Sequence, residues 1–224
     1  MNSTADSSAH SGEPEVRPFV ARRAVEFVLL FFGLPLACAL LFPPFMIIPF
    51  LLVVAVICLI VLLRDRSFPR RCMWNAAAVR KDVARVLVIF LFGGAAMAAA
   101  VLLFEPPGSF LRFVKRAPRT WALVMVLYPL LSVYPQELVL RAFLFHRYRA
   151  LFPRPWLMVA ASGGCFAFVH IVFWNWVAIL LCLVGGVLFA WTYQRTKSLL
   201  MVGIEHALYG CLIFTVGLGS YFFH

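Results

Sequence analysis

Glu137 and Arg141 are four residues apart in Pro135-Gln136-Glu137-Leu138-Val139-Leu140-Arg141, a stretch set within apolar sequence. That spacing puts a carboxylate and a guanidinium on one face of a helix, within ion-pairing reach. Two histidines lie in later apolar runs, His170 at the end of Phe166-Ala167-Phe168-Val169-His170 and His206 in Glu205-His206-Ala207-Leu208-Tyr209-Gly210. A single buried histidine is more often a hydrogen-bonded core residue than a catalyst. Two histidines and a Glu–Arg pair on three separate apolar segments are harder to dismiss, because intramembrane charges usually face a bundle interior and mark function.

These residue types permit hydrolysis. A carboxylate in apolar surroundings can accept a proton from water, and a histidine can share that task or orient the water. A second histidine can donate an N–H to the oxyanion that develops on a peptide carbonyl. Arg141 would keep the carboxylate ionised and fix its rotamer. The set Glu137, His170 and His206 could also ligate zinc. No HExxH spacing is present, so the expectation is no cofactor, with zinc left open. Glu205 could serve a proton relay or stand at a water-filled mouth beside His206.

The elements that must position these groups are membrane helices. The chain has 224 residues, of which 64% are hydrophobic, and a mean hydropathy of +0.95. A soluble domain is nearer ~45–50% apolar, so the expected fold class is an all-α, polytopic membrane helical bundle. Seven runs approach the ~20 residues needed to cross a bilayer, over roughly 26–42, 45–63, 86–104, 121–135, 156–174, 176–194 and 199–222. An eighth helix follows if the last run is broken. Residues 1–25 are polar and read as a flexible tail, and 26–224 as a single membrane domain. Signal-peptide cleavage at Ala37-Cys38-Ala39 is disfavoured, because the apolar run continues past it. Residues 64–85 mix arginines with Phe68, Met73 and Trp74, which suits either an interfacial amphipathic helix or a loop.

The formal charge is +11. Its lysines and arginines fall in short connections, as topology signals do, and the expectation is an integral membrane protein with a cytoplasmic N-terminus, in the plasma or inner membrane if the source is bacterial. The cluster Arg112, Lys115, Arg116 and Arg119 is an exception on the outer side. No basic stripe with exposed aromatics argues for nucleic acid. The six cysteines show no CxxC and no metal-ligand spacing.

The order Glu-x-x-x-Arg, Phe-x-x-x-His and a late His resembles the intramembrane CAAX-protease and bacteriocin-processing family (CPBP, Rce1-like, Abi). Gln136 to Arg141 is similar to its first motif, Phe166 to His170 to its second, and His206 with its following residues to its third. The resemblance covers about 121–217. It implies a helical membrane endopeptidase with a polar cavity, in which a glutamate and a histidine activate water and a later histidine supports the oxyanion. The residues carried over are Glu137, His170 and His206 as catalytic, with Gln136, Arg141, Phe166 and Tyr209 in support. The expected partners are the lipid bilayer and a membrane-associated peptide or protein substrate.

Two departures from that pattern matter. The family usually begins its first motif with paired glutamates, where this chain has Gln136, an amide that cannot accept a proton. It places Asn or Asp four residues after the last histidine, where this chain has Gly210. Tyr209, next to it, could supply a hydroxyl. Three functions therefore stay open: an active protease using Glu137, a catalytically silent relative acting as a binding or immunity protein, and an ion-coupled transporter using Glu137, His170 and Glu205.

Overall fold

The computed structural model describes residues 13–222. Among these the regular structure is all helical, with no strand. Seven helices are long and apolar enough to cross a membrane: α1 (Val20–Leu41), α2 (Pro44–Arg64), α3 (Arg70–Phe104), α4 (Pro118–Arg147), α5 (Pro155–Phe173), α6 (Trp176–Thr196) and α7 (Leu199–Val216). The chain is an integral membrane protein with an all-α bundle. Of the polar tail expected over 1–25, residues 1–12 lie outside the described residues, and from Glu13 onward the backbone is helical.

Local chemistry sets most boundaries. Pro43 is extended (φ −69°, ψ 154°) and turns the chain from α1 into α2, since a proline restricts the residue before it and cannot continue the helix. Asn75 accepts the Ala78 N–H at 3.4 Å, which caps the long helix Ala76–Phe104. Residues 76–85 are thus continuous with the rest of the helix Ala76–Phe104, and a short 3₁₀ turn, Arg70–Met73, precedes them. Asn175 accepts the Val177 and Ala178 N–H groups at the start of α6. Ser198 accepts that of Met201 at the start of α7. The last expected run, 199–222, is broken at Gly217 (φ +116°), and a short 3₁₀ turn, Leu218–Phe222, follows. A side chain at 217 would also overlap the Ser109 carbonyl, so glycine is required there twice over.

The fourth helix departs most from expectation. It does not stop near residue 135 but runs from Pro118 to Arg147, carrying the Glu137 motif in its interior. Pro129 and Pro135 do not end it, because the helix widens into two π-helical segments, Pro129–Val133 and Leu138–Phe143. The Tyr134 N–H bonds the Pro129 carbonyl, and the Leu144 N–H bonds the Val139 carbonyl, each five residues back. A proline in a helix lacks one donor and crowds the carbonyl four residues earlier. A turn that closes one residue later relieves that crowding without ending the helix.

Behind α4, helices α5 and α6 approach closely through glycines. A Cβ at Gly186 would lie 2.9 Å from the Phe166 Cβ and 3.0 Å from the Gly163 carbonyl oxygen. Small residues at such a crossing let backbones meet, the usual solution between membrane helices. The contact also brings the Gly186 carbonyl within reach of α4.

Candidate active site

Glu137 and Arg141 form the expected ion pair, with Arg141 Nε 3.1 Å from Glu137 Oε2 and both side chains fully buried. The arginine is held on every side. Its guanidinium donates to Ser162 Oγ at 2.7 Å, to the Leu140 carbonyl at 3.2 Å and to the Gly186 carbonyl at 3.3 Å. It also lies 5.3 Å from the centre of the Phe166 ring. Ser162 in turn donates to the Leu140 carbonyl at 2.7 Å. A buried ion pair is tolerable only when its remaining donors and acceptors are satisfied, and α5 and α6 supply those partners.

The second carboxylate oxygen faces α7. His206 Nδ1 lies 2.9 Å from Glu137 Oε1. An ionised carboxylate has no hydrogen to give, so Nδ1 carries the hydrogen and donates it, leaving Nε2 as the acceptor when the ring is neutral. Tyr128, on α4, sits 3.3 Å from that Nε2 and donates its phenol to it. The imidazole is stacked on Phe189 of α6 at 4.6 Å and meets Phe166 edge-on at 5.2 Å. Arg141, Glu137, His206 and Tyr128 thus form one chain of contacts, from a buried guanidinium to a phenol.

That chain ends at a cavity of about 1070 Å³ lined by residues from α2 to α7, among them Tyr128, Ser132, Gln136, Phe166, His170, His206 and Gly210. Several lining residues, including Val88, Phe92, Leu123 and Val184, are apolar and well exposed, so the cavity is walled largely by accessible apolar side chains. His170 stands at its wall and donates Nδ1–H to the Phe166 carbonyl at 2.7 Å, which leaves its Nε2 as an acceptor. Phe166 is in contact with both histidines and the arginine.

The expected site residues therefore gather in one region, but not in equivalent positions. Glu137 is fully buried behind His206 and does not line the cavity, whereas His170 and His206 do. Gln136 lines it and donates its amide to Ser132 Oγ at 2.7 Å, while its own Oε1 is buried without a hydrogen-bond partner. Tyr209 also lines it, but its hydroxyl donates to the Ile89 carbonyl of α3 at 3.1 Å rather than to His206. Glu205 is buried beside Thr192, off the cavity wall. As for a zinc set, no group of three His, Cys, Asp or Glu among the described residues is arranged as metal ligands. Tyr128, Ser132, Ser162 and Phe189 are site residues that sequence reasoning missed. The available signal was the spacing of Tyr128, Ser132 and Gln136 at intervals of four along one helix.

Comparison with known proteins places this geometry. Residues 118–212, which hold α4 to α6 and most of α7, match the family model described as type II CAAX prenyl endopeptidase Rce1-like. No curated protein and no solved structure matches the chain significantly. The matched segment begins where α4 begins and contains each of Glu137, Arg141, His170 and His206. In the half that builds its site, the chain is similar to the membrane CAAX proteases of the Rce1-like family.

Proposed function

We propose that the protein is an intramembrane endopeptidase that hydrolyses a peptide bond with a histidine-activated water. The observation that carries this reading is the convergence of His170 and His206, from separate helices, on one cavity with Glu137 directly behind His206. His170 takes the proton of the attacking water at Nε2, as the fixed Phe166 carbonyl bond allows. The water oxygen bonds to the carbonyl carbon as the carbonyl π pair moves onto its oxygen; that pair then re-forms the C=O bond, the C–N bond breaks, and the departing nitrogen keeps its electron pair and takes the proton from His170. The His206 side of the cavity stabilises the oxyanion. Glu137 acts through His206: its carboxylate holds Nδ1–H and so fixes the tautomer and orientation of the ring, with Arg141 fixing the carboxylate in turn.

The cavity's largely apolar wall suits a membrane-associated peptide or protein substrate bearing an apolar attachment, and the distribution of arginine and lysine supports a cytoplasmic N-terminus. No zinc takes part in this scheme. The test is cleavage of a quenched prenylated CAAX peptide by purified protein in lipid nanodiscs. His170→Ala and His206→Ala are expected to lower the rate by about 10²–10⁴-fold, and 1,10-phenanthroline to leave it unchanged. Wild-type rates in both alanine variants would sink the assignment.

A second reading is favoured by Gln136, the neutral amide on the cavity wall where the resembled family usually has a glutamate. In that reading the fold is kept as a catalytically silent binding or immunity protein. Gln136→Glu separates the two: a large gain over a barely detectable wild-type rate marks the silent relative, and little change marks an enzyme that works without that acid.

A further inference from the structure

Gly210 lies one turn after His206, on the face of α7 that meets α4. A Cβ built there would overlap the Tyr128 ring and its hydroxyl oxygen. The room for any side chain at 210 is therefore taken by a phenol arriving from the opposite wall. That phenol is not passive filling, because its hydroxyl is the hydrogen-bond partner of His206 Nε2 at 3.3 Å. It also heads a polar line, Tyr128, Ser132 and Gln136, that faces the cavity.

From this we infer that Tyr128 is a catalytic residue, the oxyanion donor that substitutes from α4 for the side chain missing at Gly210. Its catalytic part rests on the endopeptidase reading; its structural part, the exchange of a side chain on α7 for one on α4, does not. While His206 is neutral, the phenol gives its hydrogen to Nε2. When a carbonyl enters the cavity, the hydroxyl turns its hydrogen from Nε2 to the oxygen on which charge develops, and no proton changes owner. A neutral imidazole whose N–H is held by Glu137 has no hydrogen left to donate at Nε2, so the phenol is the group on that side that can serve the oxyanion. Tyr209 cannot take this part, because its hydroxyl is committed to the Ile89 carbonyl.

The experiment is a four-variant comparison in nanodiscs with two readouts. Tyr128→Phe keeps the ring over Gly210 and removes only the hydroxyl. It is expected to lower kcat by about 10²–10³-fold with KM little changed, the size seen when one oxyanion donor is removed. Gly210→Asn alone is expected to lower the unfolding midpoint. Tyr128→Ala with Gly210→Asn is expected to be more stable than Gly210→Asn alone and at least about tenfold faster than Tyr128→Ala. Independently of turnover, the His206 Nε2 nitrogen resonance is expected to shift in Tyr128→Phe, as the phenol leaves it. A Tyr128→Phe enzyme with wild-type kcat overturns the donor role. Equal destabilisation by Gly210→Asn with and without the Tyr128 ring overturns the exchange. If the wild type cleaves nothing, the endopeptidase reading and the donor role fall together, while the stability comparison and the nitrogen resonance still decide the exchange.

Discussion

The first three membrane helices and the last four are built on different principles. The most apolar window of α3 has only 11% of its residues buried inside the protein, whereas that of α7 has 50%. In α1 to α3 hydropathy is high, and exposed residues such as Val53, Ile57 and Leu91 are apolar. In α4 to α7 hydropathy is lower, and fully buried Glu137, Arg141, Ser162, Thr192 and Glu205 occupy the interior. The first half solves the problem of living in lipid, and the second holds polar groups in an apolar solvent, pairing the Glu137 and Arg141 charges and bonding Ser162 to Arg141. Affinity for the bilayer and the capacity for chemistry are thus carried by separate parts of one bundle. The family match follows the same division, since it starts at residue 118.

The comparison is broken most severely at Arg141. Arg141→Ala leaves the Glu137 carboxylate buried with one partner fewer, and a loss of about 3–5 kcal/mol is expected. Arg80→Ala, at an exposed position on α3, is expected to change stability by less than about 0.5 kcal/mol. Thermal unfolding of both variants in the same detergent measures the contrast, and similar midpoints would erase it.

Glycines give the next largest difference. Gly186→Ala pushes a methyl into Phe166 and the Gly163 carbonyl, for an expected cost of about 1–3 kcal/mol. Gly33→Ala, on α1, meets nothing nearer than 3.7 Å and has helical dihedrals at that position. It should leave the protein as stable or gain up to about 1 kcal/mol. A Gly33 variant that loses as much as the Gly186 variant would show α1 to be packed as closely as the core.

The smallest effect is expected where the halves are joined. Glu26 of α1 accepts from Arg147 and from Tyr148, the latter at 2.9 Å, at a half-buried position. Glu26→Gln should cost about 1 kcal/mol, near the upper end for a partly exposed ion pair. Midpoints measured at low and high salt check this, since the cost should shrink as screening rises.

Part of this was legible in the sequence for clear reasons. The Glu137–Arg141 pair follows from a spacing of four, and the inward direction of His170 and His206 follows from the cost of exposing them to lipid. The seven spans follow from hydropathy. The extent of α4 was not legible, because Pro129 and Pro135 read as breaks unless the wide turns around them are known. The place of Tyr128 against His206 was hidden for a different reason. It depends on a vacancy at Gly210, eighty-two residues away in sequence and meaningful only when α4 and α7 are set side by side. That Glu137 stands behind His206, and not at the cavity, is likewise a fact of packing rather than of motif.

The two wide turns of α4 carry a consequence for how such a site changes over evolutionary time. Each residue of a regular helix advances the face by ~100°, so a helix that gains or loses a residue between two positions turns one against the other. Tyr128 stands before the Pro129–Val133 segment and Glu137 after it. Point substitutions away from Pro129 and Pro135 would leave their relative bearing intact. Losing one residue between them would swing the phenol away from His206 while preserving every motif letter. Homologues that differ by a single insertion or deletion there would keep the signature and lose the alignment it depends on. In this helix, length is inherited information as much as identity is.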